Sequence, residues 1–165
     1  MSEAEFLRAY DAFADQLFRH CYFRILDRDK SRDFVQETFF RTWEYIAAGK
    51  EIQNMRPFLY RVLNNVIIDE SRKKKTLSLD ELSEKGFDPA TPIAALASIE
   101  IKSEFENVLR TMWHLDEEDR RIITMRYIDG LGPKEIALIM GTKENAISVR
   151  LHRAVNELRK LLPYG

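Results

Sequence analysis

Cysteine is nearly missing from this chain. Cys21 stands alone among 165 residues, so no internal disulfide can form, and a reducing, cytoplasmic setting is expected. No apolar run approaches the roughly 20 residues that a membrane span needs, so no direct membrane insertion is expected. The acidic, amphipathic start, MSEAEFLRAYDAFADQLF, is unlike a secretory signal. Strand-type alternation is almost absent, and so are repeats and low-complexity tracts. His20, His114 and His152 lie far apart, without metal-ligand spacing. There is no phosphate loop and no nucleophile–base arrangement. The acids of DEED at 116–119 are read as an ordinary first helical turn rather than as paired catalytic groups. The expectation is therefore a binding protein, not an enzyme, with no cofactor, no metal and no small-molecule substrate.

Net charge is also small, at −1, but the sum hides a pattern. Residues 56–75 hold six Lys/Arg against two acids, and residues 131–165 hold six against three. Between them, residues 76–106 hold two against seven. Two basic segments flanking an acidic one suit an elongated anionic partner better than the total suggests.

What the chain has in quantity is helical periodicity. One stripe runs through Phe6, Leu7, Tyr10, Phe13, Leu17, Phe18 and Cys21, and a second through Phe34, Val35, Thr38, Phe39, Thr42 and Ile46. Ser31 is the expected cap of the second helix, Gly49 its end, and Pro57 the opening of a third. The third stripe is Phe58, Leu59, Val62, Leu63, Val66 and Ile67. Phe39 and Trp43 are assigned to the core, as is Cys21. Residues 76–97 lose the period and carry Gly86, Pro89 and Pro92, which reads as an acidic linker. Helices resume at about 98–113, 116–129, 133–140 and 143–161, with Asp116 as a cap, Gly130 as a stop and Pro133 as a first residue. The expected fold is all-α: two small helical domains, 1–75 and 98–165, joined by a tether.

Two segments carry candidate sites. In the third helix, Arg56, Arg61, Arg72, Lys73, Lys74 and Lys75 suit a phosphate track. Asn64 and Asn65 are mediocre helix formers but offer donors and acceptors for the edge of an unpaired base, and Tyr60 is expected to offer a stacking face beside them. In the C-terminal pair, Gly141 allows a sharp turn. Ile147, Leu151, Ala154, Leu158 and Leu161 form the packed stripe of the last helix. Lys143, Ser148, Arg150, Arg153 and Asn156 lie on its other side, the division that a groove-reading helix needs. A packed hairpin with a solvated basic face has the same spacing.

The stretch LDEEDRRIITMRYIDGLGPKEIALIMGTKENAISVRLHRAVNELRKLL resembles region four of extracytoplasmic-function (ECF) sigma factors. The matching positions include Arg126, Tyr127, Gly130, Leu131, Glu135, Ile136, Ala137, Gly141, Arg150, Leu151, His152, Arg153 and Ala154. DFVQETFFRTWEYI and RPFLYRVLNNVIIDESRKKK resemble the family's region two, through Asp33, Val35, Gln36, Glu37, Phe39 and Trp43, then Phe58, Leu59, Tyr60, Arg61, Asn65, Asp69 and Arg72. The resemblance spans nearly the whole chain. It implies that Asp33, Gln36, Glu37, Phe40 and Arg41 meet core RNA polymerase. It implies that the 56–75 helix reads and opens the minus-ten element of promoter DNA, and that Lys143, Ser148, Val149, Arg150, His152 and Arg153 meet the minus-thirty-five element. It implies a linker running toward the RNA exit path, and an anti-sigma factor as a partner. Ser148 and Val149 depart from a frequent basic residue and serine, so the upstream sequence read here is its own; Phe58 replaces a frequent tryptophan. No further domain is expected after Gly165, so regulation is expected from another protein. A stand-alone helix-turn-helix regulator and a sigma-like decoy for an anti-sigma factor are the alternatives.

Overall fold

The computed structural model describes residues 2–77 and 102–163, and every regular element among them is helical. The chain divides into two compact units, Met1–Gly86 and Phe87–Gly165. Most of the expected linker lies outside the described residues.

The first unit is three helices: α1 Glu3–Ile25, α2 Arg28–Ala47 and α3 Met55–Leu77. A reciprocal cap starts α1. The Ser2 amide donates to the Glu5 carboxylate at 2.7 Å, and the Glu5 amide donates to the Ser2 hydroxyl at 3.3 Å. The Ser2 amide, and after it the Ser2 hydroxyl, donate to the Glu5 carboxylate and hold it below its ordinary pKa. Leu26, at φ 57°, is the one non-glycine residue in the left-handed region among the described residues, and it ends α1. Asp27 then caps α2, accepting from the Lys30 amide at 3.0 Å. The cap therefore lies four residues before Ser31, which is instead buried one turn inside the helix, its hydroxyl donating to the Asp27 carbonyl at 2.6 Å.

Small buried residues on α2 let its neighbours approach closely. Thr38 and Thr42 are fully buried and satisfy their hydroxyls within the helix, donating to the carbonyls of Phe34 and Thr38 at 2.7 Å each. Around them pack Leu17 and Cys21 from α1, Val35 and Phe39 from α2, and Leu59, Tyr60, Leu63, Val66 and Ile67 from α3. Burial pushes the Cys21 thiol up to about 11. Phe39 and Cys21 are core, as expected. Trp43 is only partly so: it stays 39% exposed, with its ring 5.0 Å from that of Phe6, so it seals the rim of the core rather than filling it.

The second unit contains α4 Lys102–Met112, α5 Glu117–Ile123, α6 Pro133–Met140 and α7 Glu144–Leu161. The helix expected over 116–129 is interrupted. After Ile123 it widens into a π-turn, Thr124–Ile128, with the Asp129 amide donating to the Thr124 carbonyl at 3.0 Å. Gly130 at φ 70° then reverses the chain. Gly132 precedes α6, and the Glu135 carboxylate accepts its amide at 3.1 Å, while Pro133 takes the first turn. Leu115, Ile122, Met125, Leu131, Ile136, Ile147, Ala154 and Leu158 make the core. Gly141 at φ 68° turns the chain from α6 to α7, so the two helices form a helix-turn-helix.

Candidate polymerase and nucleic-acid interfaces

The candidate residues fall on three helical faces, two in the first unit and one in the second. On α2, Asp33, Gln36 and Phe40 are exposed, and their spacing of three and four puts them on one row. Phe40 is 56% exposed, high for a large aromatic. Glu37 and Arg41 differ from their neighbours. Arg41 donates from Nε to Glu37 at 2.7 Å and from Nη1 to Asp69 of α3 at 3.0 Å, so its charge is already used in bracing α2 against α3. Those two carboxylates raise the Arg41 pKa.

On α3, Arg61, Asn65 and Arg72 are exposed and share a row, with Lys73 and Lys74 beyond them. Asn64 is half-buried, and its Oδ1 accepts from Arg24 of α1 at 2.7 Å. Arg24 thus fixes the amide's orientation, a role that its position in α1 did not suggest. Tyr60 requires a correction. It is 1% exposed, with its ring 5.0 Å edge-on to that of His20, so it offers no stacking face at the surface. The spacing Tyr60–Leu63–Ile67 puts it on the buried side of α3. Arg56 is half-buried in the first turn of α3. One further cation was missed: Lys30 of α2 lies beside Lys74, and its proximity lowers the Lys74 pKa. Like charges this close favour an anionic neighbour, and they extend the basic track from α3 onto the start of α2.

On α7, Lys143, Ser148, Val149, His152 and Arg153 are exposed, on the side opposite Ile147, Leu151, Ala154 and Leu158. Lys143 stands at the helix's N-cap without making a side-chain cap bond. Val149 is 56% exposed, and His152 Nε2 lies 3.1 Å from the Asn156 amide. Arg150 is the second correction. Its guanidinium is not presented outward with the rest of this face. It donates to Asp119 at 2.6 Å through Nε, to Asp116 at 3.0 Å through Nη2, and to Glu118 through Nη1. Asp116 sits at the start of α5 but makes no side-chain cap bond; its carboxylate goes to Arg150 instead. Three of the four DEED acids are thus a cradle for one arginine, whose pKa is held above its ordinary value with Asp119 the main cause.

The candidate side chains thus make three surface rows: an apolar-and-polar row on α2, a polar and basic row on α3, and a polar row on α7. Residues 9–76 match the family model of Sigma-70 region 2, and residues 105–158 match that of Sigma-70, region 4. Those two regions in this order define a promoter-recognition subunit, a transcription initiation factor. The chain is 30% identical over 167 residues to the ECF RNA polymerase sigma factor SigL of Mycobacterium tuberculosis (strain ATCC 25618 / H37Rv), covering 98% of this chain and 91% of that one. It is 28% identical over 163 residues to the ECF RNA polymerase sigma factor SigW of Bacillus subtilis (strain 168), covering 92% and 86%. Its fold is similar to that of the sigma factor RpoE from Bartonella quintana, solved in complex with the anti-sigma factor NepR, with a TM-score of 0.71 at 20% identity over 95% of this chain and 96% of that one. The chain belongs to the ECF sigma factors of RNA polymerase, and its function is to direct promoter-specific transcription initiation.

Proposed function

We propose that three faces divide the work of this sigma factor. The α2 row of Asp33, Gln36 and Phe40 docks on core RNA polymerase, with Glu37 beside it and Arg41 holding Glu37 in place. The α3 row meets the minus-ten element: Arg61, Arg72, Lys73 and Lys74 follow phosphates, and Asn65, with Asn64 behind it, takes the edge of a flipped base. The α7 face of Lys143, Ser148, Val149, His152 and Arg153 enters the major groove of the minus-thirty-five element. Residues 76–97 tether the two halves, 1–75 and 98–165. The work is binding, done in the cytoplasm, and the polymerase supplies the catalysis. The observation that carries this reading is the sorting of side chains on α7, where a buried aliphatic stripe faces the unit's core and short or forked polar groups face out.

An anti-sigma factor is the proposed regulatory partner, supported by the Bartonella sigma factor having been solved in such a complex. A stand-alone regulator or a decoy would have no use for both an exposed α2 row and two separate DNA faces. Pull-down of core polymerase followed by run-off transcription tests the choice. A sigma factor binds core and restores promoter-specific transcripts; a stand-alone regulator does neither, and a decoy gives no transcripts.

A further inference from the structure

We infer that Arg150 is a positioning residue for promoter recognition: gripped by the acids at the start of α5, it sets the angle at which α7 presents its face. The inference rests on the reading that this face meets the upstream element.

Three features carry it. First, the guanidinium is gripped from one side. All three of its nitrogens donate to carboxylates, from Asp116, Glu118 and Asp119, which takes three of its five N–H donors away from a phosphate or a guanine edge. Second, the grip spans 31–34 residues of sequence and joins two different helices, so it constrains orientation rather than local helicity. Third, its position borders the buried stripe. Arg150 lies next to Leu151 and one turn from Ile147 and Ala154, which anchor that stripe, so a grip on it acts where α7 meets the unit's core. The stripe alone leaves α7 free to roll by small angles on aliphatic contacts, which are non-directional. A planar fork held at three points removes that freedom.

The sign of the acid substitutions separates this role from direct DNA contact. The cradle carries three negative charges against one positive. If Arg150 bound DNA, deleting nearby carboxylates would free it and reduce repulsion of phosphates, so binding would tighten. If Arg150 positions α7, deleting the same carboxylates loosens the helix, and binding weakens although the protein has become more positive.

The test uses the full chain assembled with core polymerase. A duplex pool randomised over the upstream element is selected with the wild-type holoenzyme, and the most enriched duplex becomes the probe. Arg150→Ala and Asp119→Asn are each expected to weaken binding to that probe by about three- to tenfold, the scale of partly exposed ion-pair networks. The double variant is expected to be no weaker than Arg150→Ala, and the salt slope to stay at the wild-type value. Arg150→Lys, which keeps the charge but not the fork, is expected to recover part of the loss. Thermal melts accompany each variant; Asp116→Asn, which touches a more exposed acid, serves where another fails to fold. Tighter or unchanged binding by Asp119→Asn or Asp116→Asn overturns the inference, as does a salt slope lowered by about one unit in Arg150→Ala. If the wild-type holoenzyme enriches no upstream element, the DNA-facing reading of α7 fails, and this inference falls with it.

Discussion

Arg41 of α2 reaches Asp69 of α3 with 3.0 Å between Nη1 and Oδ2, tying the helix that carries the proposed polymerase row to the helix that carries the proposed minus-ten row. Arg41 and Phe40 are adjacent in sequence but differ in kind. Arg41→Ala should lower the stability of the first unit by up to about 1 kcal/mol, because its two ion pairs are partly exposed and screened. Phe40→Ala should leave the melting temperature unchanged and weaken core binding by about tenfold or more, as for an aromatic anchor. Titration against core polymerase beside thermal melts checks both. Wild-type affinity for Phe40→Ala removes this row from the interface.

The two asparagines of α3 should also separate. Asn65 is exposed, so Asn65→Ala should leave the fold and closed-complex formation intact while slowing strand opening. Asn64→Ala instead removes an acceptor from Arg24, and it should cost about 1 kcal/mol of stability before any effect on DNA. Permanganate footprinting of a promoter complex, read beside chemical denaturation, distinguishes them. Equal opening by wild type and Asn65→Ala takes Asn65 out of the site.

Gly141 makes the helix-turn-helix corner at φ 68°, and a Cβ placed there meets nothing within 4 Å. The cost of Gly141→Ala is therefore backbone strain alone, about 1–2 kcal/mol, and Gly141→Asn should cost less because asparagine tolerates the left-handed region. Denaturation of the second unit, followed through Trp113, measures both. Equal stability for all three forms contradicts the turn described.

Cys21 sets a pH dependence. Its folded value, about 11, lies above its ordinary value of 9.0, so the unfolded state loses the proton first. The contribution is fully present below about pH 9 and is lost as pH rises toward about 11. Wild type should lose more stability than Cys21→Ala across that window, and the native thiol should react slowly with thiol reagents. Parallel pH profiles for the two proteins would contradict this.

Much of the fold was legible because apolar spacing dictates it. The α2 stripe is the buried face, as is that of α7 apart from the exposed Leu161, and Gly49, Gly130 and Gly141 are all at positive φ, where chain reversal needs them. The α1 stripe holds only in its second half: Leu17 and Cys21 are buried, but Leu7 and Tyr10 are exposed, and Ala9 and His20 are buried in their place. On α3 the phase was read a little off. Phe58 and Val62 are only half-buried, whereas Tyr60 is covered completely, a placement its spacing to Leu63 and Ile67 already implied. Other features were not legible from local pattern. Arg150 reads as one more cation on a basic face because its carboxylates lie more than 30 residues away, and Arg24 lies 40 residues from the amide it orients. Asp27 outcompetes Ser31 as a cap because Leu26 ends α1 immediately before it, which fixes where α2 can begin.

Run-off transcription by core polymerase, with and without this chain, on a template pool randomised over both promoter elements tests the central claim most directly. Transcripts that depend on the chain should come from templates sharing two elements, one upstream and one at the opening site. Val149→Ser should change the preferred upstream bases while leaving the preference at the opening site as it was. Transcripts drawn evenly from the pool, or no dependence on the chain, would contradict the account. So would an upstream preference that Val149→Ser and Arg153→Ala both leave untouched, because α7 would then be a packing element only.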